Sequence, residues 1–406
     1  MKILVLNSGS SSLKFSVIDT AVEQIMIKGL CERIGIENSR FSIKNFVKNN
    51  NIDKVPELFP NHKRALEFVL NVLVDNEFGV FEDVNQIQAI GHRVVHGGED
   101  FIEPLLINDK NMISLEKISS LAPLHNPANI MGIKVMRELL PKTPNVAVFD
   151  TAFHSTMPAK SYMYPIPYEE YEKLKIRKYG FHGTSHKYVS KVAEKLLLEK
   201  GVKKPYGGYK IISCHLGNGA SITAIKDGKV LDTSMGFTPL AGLMMGTRCG
   251  DIDPSIVLHI MDEYNLSVEE MSQKLNKRSG VLGIFGKSSD NRELTEAMLN
   301  GDERAKLAFD MMAYSIQKYI GEYYILLQGV DAIIFTGGIG ENSSETRQKV
   351  CENLEFIGVN LDYEKNKIRQ SGDVDLSTSD SETSIFKIGT NEELMISIET
   401  YNLLKG

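Results

Sequence analysis

Along the first twenty residues the apolar positions fall into two blocks separated by a polar run. KILVL (residues 2–6) is a continuous β-rich block. LKFSVI (13–18) sets Leu13, Phe15 and Val17 against Lys14 and Ser16, an alternation of period two. The pattern predicts strand, loop, strand, so the intervening NSGSSS is an ordered turn rather than a trailing tail. IMIKGL and FSIKNF add two strands, HKRALEFVLNVLV (62–74) has helical spacing, and QAIGHRVVHGGE is a strand ending in a Gly-rich loop. ANIMGIKVMRELL predicts a helix with Asn126 as its cap and Pro127 in its first turn, and NVAVFDT a short buried strand.

The middle of the chain repeats the opening. IISCHLGNGASITAIKDGKVLDTS gives a strand, a Gly/Asn loop and a hairpin turning at Asp227-Gly228. Aligned on their loops, LNSGSSSLKFSVI and LGNGASITAI share strand, small polar loop and alternating strand. This is an internal duplication at the level of pattern: two similar α/β domains, each offering a hairpin loop of backbone N–H groups to one cleft. Beyond Asp251 the pattern is largely helical, with residues 303–329 long enough for a core helix. DAIIFTGGIGEN predicts a strand running into a Gly-rich loop, with Ser343 or Ser344 capping the next helix. Residues 373–384 are polar and Ser-rich, an expected exposed loop, and ELMISIETYNLL an amphipathic closing helix.

A chain of 406 residues has room for two or three domains. Its net charge of −6 excludes the basic footprint that non-specific nucleic-acid binding needs. An anionic substrate must then be held by individual Arg, Lys and His residues in a cleft. Cys31, Cys214, Cys249 and Cys351 are far apart, without zinc spacing, and read as reduced thiols in a cytoplasm. No apolar run approaches the roughly 18 residues of a membrane span, so no membrane partner is expected.

There is no GxxxxGK[ST], no GxGxxG opening a helix after a strand, and no GxSxG elbow. What remains is three small-residue loops after strands: NSGSSS, HLGNGAS and TGGIGENS. Backbone N–H groups in such turns make anion-binding concavities, to which Ser10 and Ser12 add hydroxyls and Lys14 a point charge. Singly, each is more often just a turn; three of them in a duplicated architecture point to a nucleotide. Arg93 (GHRVVHGG), Asp150 and His154 (VFDTAFH), His182 and His186 (YGFHGTSH) and Arg248 (GTRCGDIDP) all stand at strand ends or in Gly-rich loops. The bland reading of any one of these His is a satisfied structural residue. Two guanidinium groups with a His donor, however, suit a phosphoryl group in transfer.

These motifs, with APLHNPAN, DTSMGFTPLAGLMMGTRCGDIDP and TNEEL, stand in order along nearly the whole chain, and the series resembles that of the acetate kinase family. The resemblance implies two duplicated actin/Hsp70-like (ribonuclease H-like) α/β domains with a nucleotide cleft between them. Residues 1–150 and 394–406 would form the first, and 151–393 the second, with the nucleotide site and the dimer interface of a cytoplasmic homodimer. It implies reversible transfer of the ATP γ-phosphoryl group to acetate, giving acetyl phosphate and ADP, with Mg²⁺ or Mn²⁺. Arg93 and Arg248 would grip acetate and the phosphoryl group, and His182 would stabilise the transition state. Asp150 would organise charge, since an ionised carboxylate needs no base. Asn7 and Glu392 would stand near the metal. Ser10, Ser12 and Lys14 would face the phosphates, as would His215, Leu216, Gly217, Asn218 and Gly219. Asp290, Asn291 and Arg292, with Gly338, Ile339, Gly340, Glu341 and Asn342, would hold the nucleoside. Val95, Leu124, Phe181 and Pro239 would line a methyl pocket. The chain departs from the family pattern at Glu293, where Asp is commoner, and in an insert at 200–209. A propionate, sugar or longer-chain acid kinase is the near alternative. A chaperone or filament protein of the same fold would need the phosphate loops but no paired Arg/His site.

Overall fold

The two apolar blocks at the N-terminus form a hairpin. Strand β1 (Lys2–Ser8) pairs antiparallel with β2 (Ser12–Asp19) from Lys2↔Asp19 to Ser8↔Leu13, which leaves residues 9–11 as a tight turn closed by Gly9 N–H donating to Ser12 O at 2.8 Å. The sheet grows outward through β3 (Gln24–Glu32), β4 (Arg40–Asn45) and β5 (Asn50–Pro56). It grows inward through β6 (Ala89–Val94), β7 (Leu105–Leu106) and β8 (Asn145–Phe149), in the order β5-β4-β3-β2-β1-β6-β8-β7. Strands β1, β6 and β8 are parallel. Leu4, Leu6, Phe15, Val69 and Met136 belong to one core cluster of this sheet and its helices.

The second sheet repeats that plan. Strands β9 (Lys210–Leu216), β10 (Ala220–Lys226) and β11 (Lys229–Thr233) are an antiparallel meander. The β10–β11 turn places Asp227 at φ 50° and Gly228 at φ 69°, both positive as a two-residue hairpin of this hand requires. Strands β12 (Ala332–Thr336), β13 (Val374–Asp375) and β14 (Ser384–Lys387) complete the order β11-β10-β9-β12-β14-β13, with β9, β12 and β14 parallel. Both sheets therefore contain a three-stranded meander, then two parallel strands, then a short antiparallel edge. The duplication read from two loops extends to whole topologies.

This computed structural model describes residues 1–123, 125–205 and 207–406. Its two compact units are Met1–Phe153 with Asn391–Gly406, and His154–Thr390. The returning segment starts ahead of the expected residue 394, so Glu392 stands with the first unit.

Three local expectations are corrected. Asn126 does not cap its helix: the helix runs Asn126–Leu139 with His125 in the cap position, and Asn126 is buried. Its Oδ1 accepts from His96 N–H at 3.1 Å and its Nδ2 donates to His96 O at 2.9 Å, which holds the loop after β6. TGGIGEN is not a loop after Thr336. Gly337–Asn342 is a six-residue helix, entered through Gly337 at φ 76° and stabilised by Glu341 Oε1 accepting from Gly337 N–H at 3.1 Å. Residues 373–384 are not simply exposed: they contain β13 and the buried Leu376 and Ser377, and Lys200 Nζ ties Asp375 at 2.7 Å to Ser384 at 2.9 Å.

Candidate active site

In the first unit the parallel strands deliver polar side chains from their C-terminal ends, where open α/β sheets present their chemistry. The register sets Leu6 opposite His92 and Arg93 opposite Val148, so Asn7, Arg93 and Asp150 lie side by side. Arg93 Nε donates to Asp150 Oδ1 at 3.2 Å, Nη2 pairs with Oδ2, and Nη1 reaches Asn7 Oδ1 at 3.5 Å. Glu392, in the first turn of the helix Glu392–Lys405, brings Oε2 to 3.9 Å from Arg93 Nε. Burial works against the Arg93 charge, but Asp150 and Glu392 outweigh it and raise its pKa. Burial pushes the Glu392 carboxyl up to about 7, against the pull of Arg93.

Around this group the scaffold is closely tied. Asn129 Oδ1 accepts from Val95 N–H at 3.1 Å while its Nδ2 donates to Ser8 O at 2.6 Å, clamping the ends of β1 and β6 together. His62 Nε2 bonds Gly9 O at 2.7 Å, which fixes the hairpin loop. Ser10 and Lys14 are exposed, Ser12 is half-buried and Val95 is buried.

The second unit gathers a different set. His182 sits at the cap position of the helix Gly183–Glu199 with φ 56°, a left-handed conformation that costs a non-glycine residue about 1–3 kcal/mol. Its ring stacks on His215 at 4.2 Å between centroids, and Nδ1 lies 2.9 Å from Ser221 Oγ. A Cβ added at Gly219 would meet Arg248 Nη1 at 3.3 Å and the His182 ring at 3.7 Å, so the β9–β10 loop, Arg248 and His182 converge on one spot. Arg248 Nη1 donates to Pro239 O at 3.0 Å. Among the described residues no carboxylate lies within ion-pair distance of its guanidinium, and burial lowers its pKa.

Beside this spot an open groove of about 1430 Å³ is lined by Asn218, Asp290, Asn291, Arg292, Gly338, Ile339, Glu341 and Asn342. Asn291 Oδ1 is buried there without a hydrogen-bond partner, an acceptor suited to an N–H of a bound nucleobase. Asp290 and Glu341 also carry structural duties. Asp290 caps the helix Asn291–Leu299 and pairs with Arg292 at 2.6 Å, and side-chain bonding from Arg292 holds its pKa at about 2. Glu341 clips Gly337 and Thr390 N–H.

Pro239 joins the second group through its carbonyl, which accepts from Arg248, and Leu216 lines a small cavity with Gly217, Asn291 and Ile339. Gly340 packs on Phe335 and Cys214 of the sheet, and Leu216 is buried in it. Phe181 is buried and Pro239 half-buried. Leu124 lies outside the described residues. Reading by residue type missed Asn129, Ser185, Ser213 and Ser221, because Ser and Asn are unremarkable in a sequence. Their only signal is position: HGTSH places Ser185 and His186 three and four residues after His182, on one helix face.

A family model described as the acetokinase family matches residues 2–398. A curated acetate kinase of Fusobacterium nucleatum subsp. nucleatum is 54% identical over 405 residues, covering 100% of both chains. The crystal structure of Porphyromonas gingivalis acetate kinase is similar with a TM-score of 0.93 and 43% identity, over 99% of each chain. That of a propionate kinase from Francisella tularensis subsp. tularensis follows with 0.90 and 45%, again over 99% of each. The chain belongs to the acetokinase family.

Proposed function

We infer that the chain transfers the γ-phosphoryl group of ATP to acetate, reversibly, giving acetyl phosphate and ADP. Full-length identity of 54% with a curated acetate kinase supports this. Within the chain itself, the observation that carries it is the contrast between two arginines. Arg93 is pre-oriented by Asp150, whereas Arg248 stands beside His182 and Gly219 with no carboxylate in ion-pair range among the described residues. An oriented guanidinium suits a small carboxylate, and an uncompensated one suits charge that develops on a transferring phosphoryl group.

In this reading Arg93 binds the acetate carboxylate, and Asp150 fixes Arg93 without removing a proton, because acetate is already ionised. Arg248 and His182 stabilise the equatorial oxygens during in-line displacement. Asn218, Asn291, Gly338 and Ile339 cradle the nucleoside, and Ser10, Ser12 and Lys14 face phosphate. Asn7 and Glu392 are the residues that would hold Mg²⁺, or Mn²⁺ in its place. Asn7 Oδ1 and Glu392 Oε2 both face Arg93 and offer only two oxygen donors, a set that fits a cation keeping several waters and taking phosphate oxygens. When bound, the ion neutralises phosphate charge. We also read the protein as a cytoplasmic homodimer whose nucleotide site lies in the second unit; no helix among the described residues is long and apolar enough to cross a membrane.

Propionate is the second reading, raised by the 45% identity to a propionate kinase. One methylene changes specificity by only about 1–3 kcal/mol in such a pocket. ADP release measured across acetate, propionate, butyrate and glycerol separates the two. Acetate is expected to give the highest kcat/KM and glycerol no stimulation; propionate ahead of acetate would reverse the assignment.

A further inference from the structure

Behind His182 lies a chain of hydrogen-bonding groups that the phosphoryl-transfer reading does not use. His182 Nδ1 is 2.9 Å from Ser221 Oγ, which is 2.8 Å from His186 Nε2; His186 Nδ1 is 2.8 Å from Ser213 Oγ. The arrangement follows from two periodicities. Ser213 on β9 and Ser221 on β10 point to the same face of the sheet, and His182 and His186 are one helical turn apart. Ser213, Ser221 and His186 are all fully buried, so every polar atom among them needs a partner within the protein.

Counting protons gives the chain a direction. Each serine has one O–H to donate, and burial holds His186 neutral by lowering its pKa well below the ordinary value, so His186 has one N–H and one acceptor nitrogen. If His186 Nδ1–H donated to Ser213, the Ser213 hydroxyl proton would be buried with no acceptor, since His186 is its one side-chain partner among the described residues. In the opposite sense every group is satisfied. Ser213 donates to His186 Nδ1, His186 Nε2–H donates to Ser221, and Ser221 donates to His182 Nδ1. We propose that Ser213, His186 and Ser221 are positioning residues that hold His182 as the neutral tautomer with its proton on Nε2, a hydrogen-bond donor and not a base. A Cβ built on Gly219 lies 3.7 Å from that Nε2, the side on which Arg248 also stands.

The functional consequence rests on the reading of His182 as a group acting on the transferring phosphoryl, whereas the tautomer itself does not. The test is ¹⁵N NMR of the full-length protein labelled at histidine, with His182 assigned by the signal lost in His182→Gln. The expected pattern is an unprotonated Nδ1 and a protonated Nε2 at neutral pH. Ser213→Ala, three hydrogen bonds away, removes the directional bias and is expected to convert this to a mixture of tautomers. Ser221→Ala is expected to lower kcat about tenfold with little change in KM for ATP. A wild-type His182 with a protonated Nδ1, as the other tautomer or as imidazolium, would overturn the proposal, and so would an unchanged pattern in Ser213→Ala. The wild-type spectrum decides even if a variant fails to fold. A correct tautomer in a protein that forms no acetyl phosphate would leave the proposal standing and remove the function.

Discussion

Arg93 and Asp150 form a two-point ion pair in which Nε donates to Oδ1 at 3.2 Å while Nη2 faces Oδ2. Asp150 is 1% exposed, so its carboxylate is committed to the protein and to Arg93 rather than to solvent. Breaking such a pair leaves the other charge buried, at a cost of about 3–5 kcal/mol.

Arg93→Ala and Asp150→Asn therefore differ in kind. Arg93→Ala is expected to reduce kcat/KM for acetate by roughly 10²–10³-fold, since the substrate loses a bidentate donor. Asp150→Asn keeps the shape but frees the guanidinium to turn, so the loss is expected mainly in kcat. Steady-state kinetics with circular dichroism as a fold control checks both. Normal turnover in either removes that residue from the mechanism.

Gly219→Ala probes the convergence on Arg248 without touching a charged group. Its new methyl would stand 3.3 Å from Arg248 Nη1. The expected result is a kcat/KM about tenfold lower with an almost unmoved urea midpoint, the loss corresponding to about 1.4 kcal/mol of transition-state stabilisation. A fully active variant would place Arg248 away from the reacting group.

Asn7→Ala tests the metal assignment. The half-saturating Mg²⁺ concentration is expected to rise about tenfold, with thermal stability in the absence of nucleotide nearly unchanged. An unaltered Mg²⁺ dependence would clear Asn7 of that role.

Acid stability follows from the buried histidines. Burial lowers the pKa of His92, His96 and His154 from 6.5 to about 4 in each case. The unfolded chain thus takes up these protons first, and stability that is complete above pH 6.5 is lost as pH falls towards 4, by about 1.4 kcal/mol per group per pH unit. His92→Gln, which can still donate to Asn145, is expected to shrink the difference in urea midpoint between pH 7 and pH 5. An undiminished difference would contradict the account.

Much of this architecture can be read from the chain because the β1–β2 and β9–β10 hairpins repeat one order, a continuous apolar strand, a small polar loop and a second strand. Where legibility fails, the reason is local. Strand β5 is almost wholly exposed on the sheet edge, so it has no apolar period to reveal it. The Gly337–Asn342 helix contains three glycines, which propensity assigns to a loop, yet the Glu341 bond to Gly337 and packing of Gly340 on Phe335 hold it. Asn126 carries the right residue type for a cap, but its amide is worth more inside, bonded twice to His96. Arg93, Asp150, His182 and Arg248 were all visible as chemistry-bearing residues in loops or at strand ends. That Arg93 is paired with a carboxylate, and Arg248 with none among the described residues, shows only in three dimensions.

The most direct measurement is ³¹P NMR of the purified protein with ATP, Mg²⁺ and acetate. The account predicts a new acetyl phosphate resonance growing in step with ADP, and its reversal to ATP when acetyl phosphate and ADP are supplied instead. ATP left intact, or cleaved to ADP and inorganic phosphate with no acetyl phosphate formed, would contradict it.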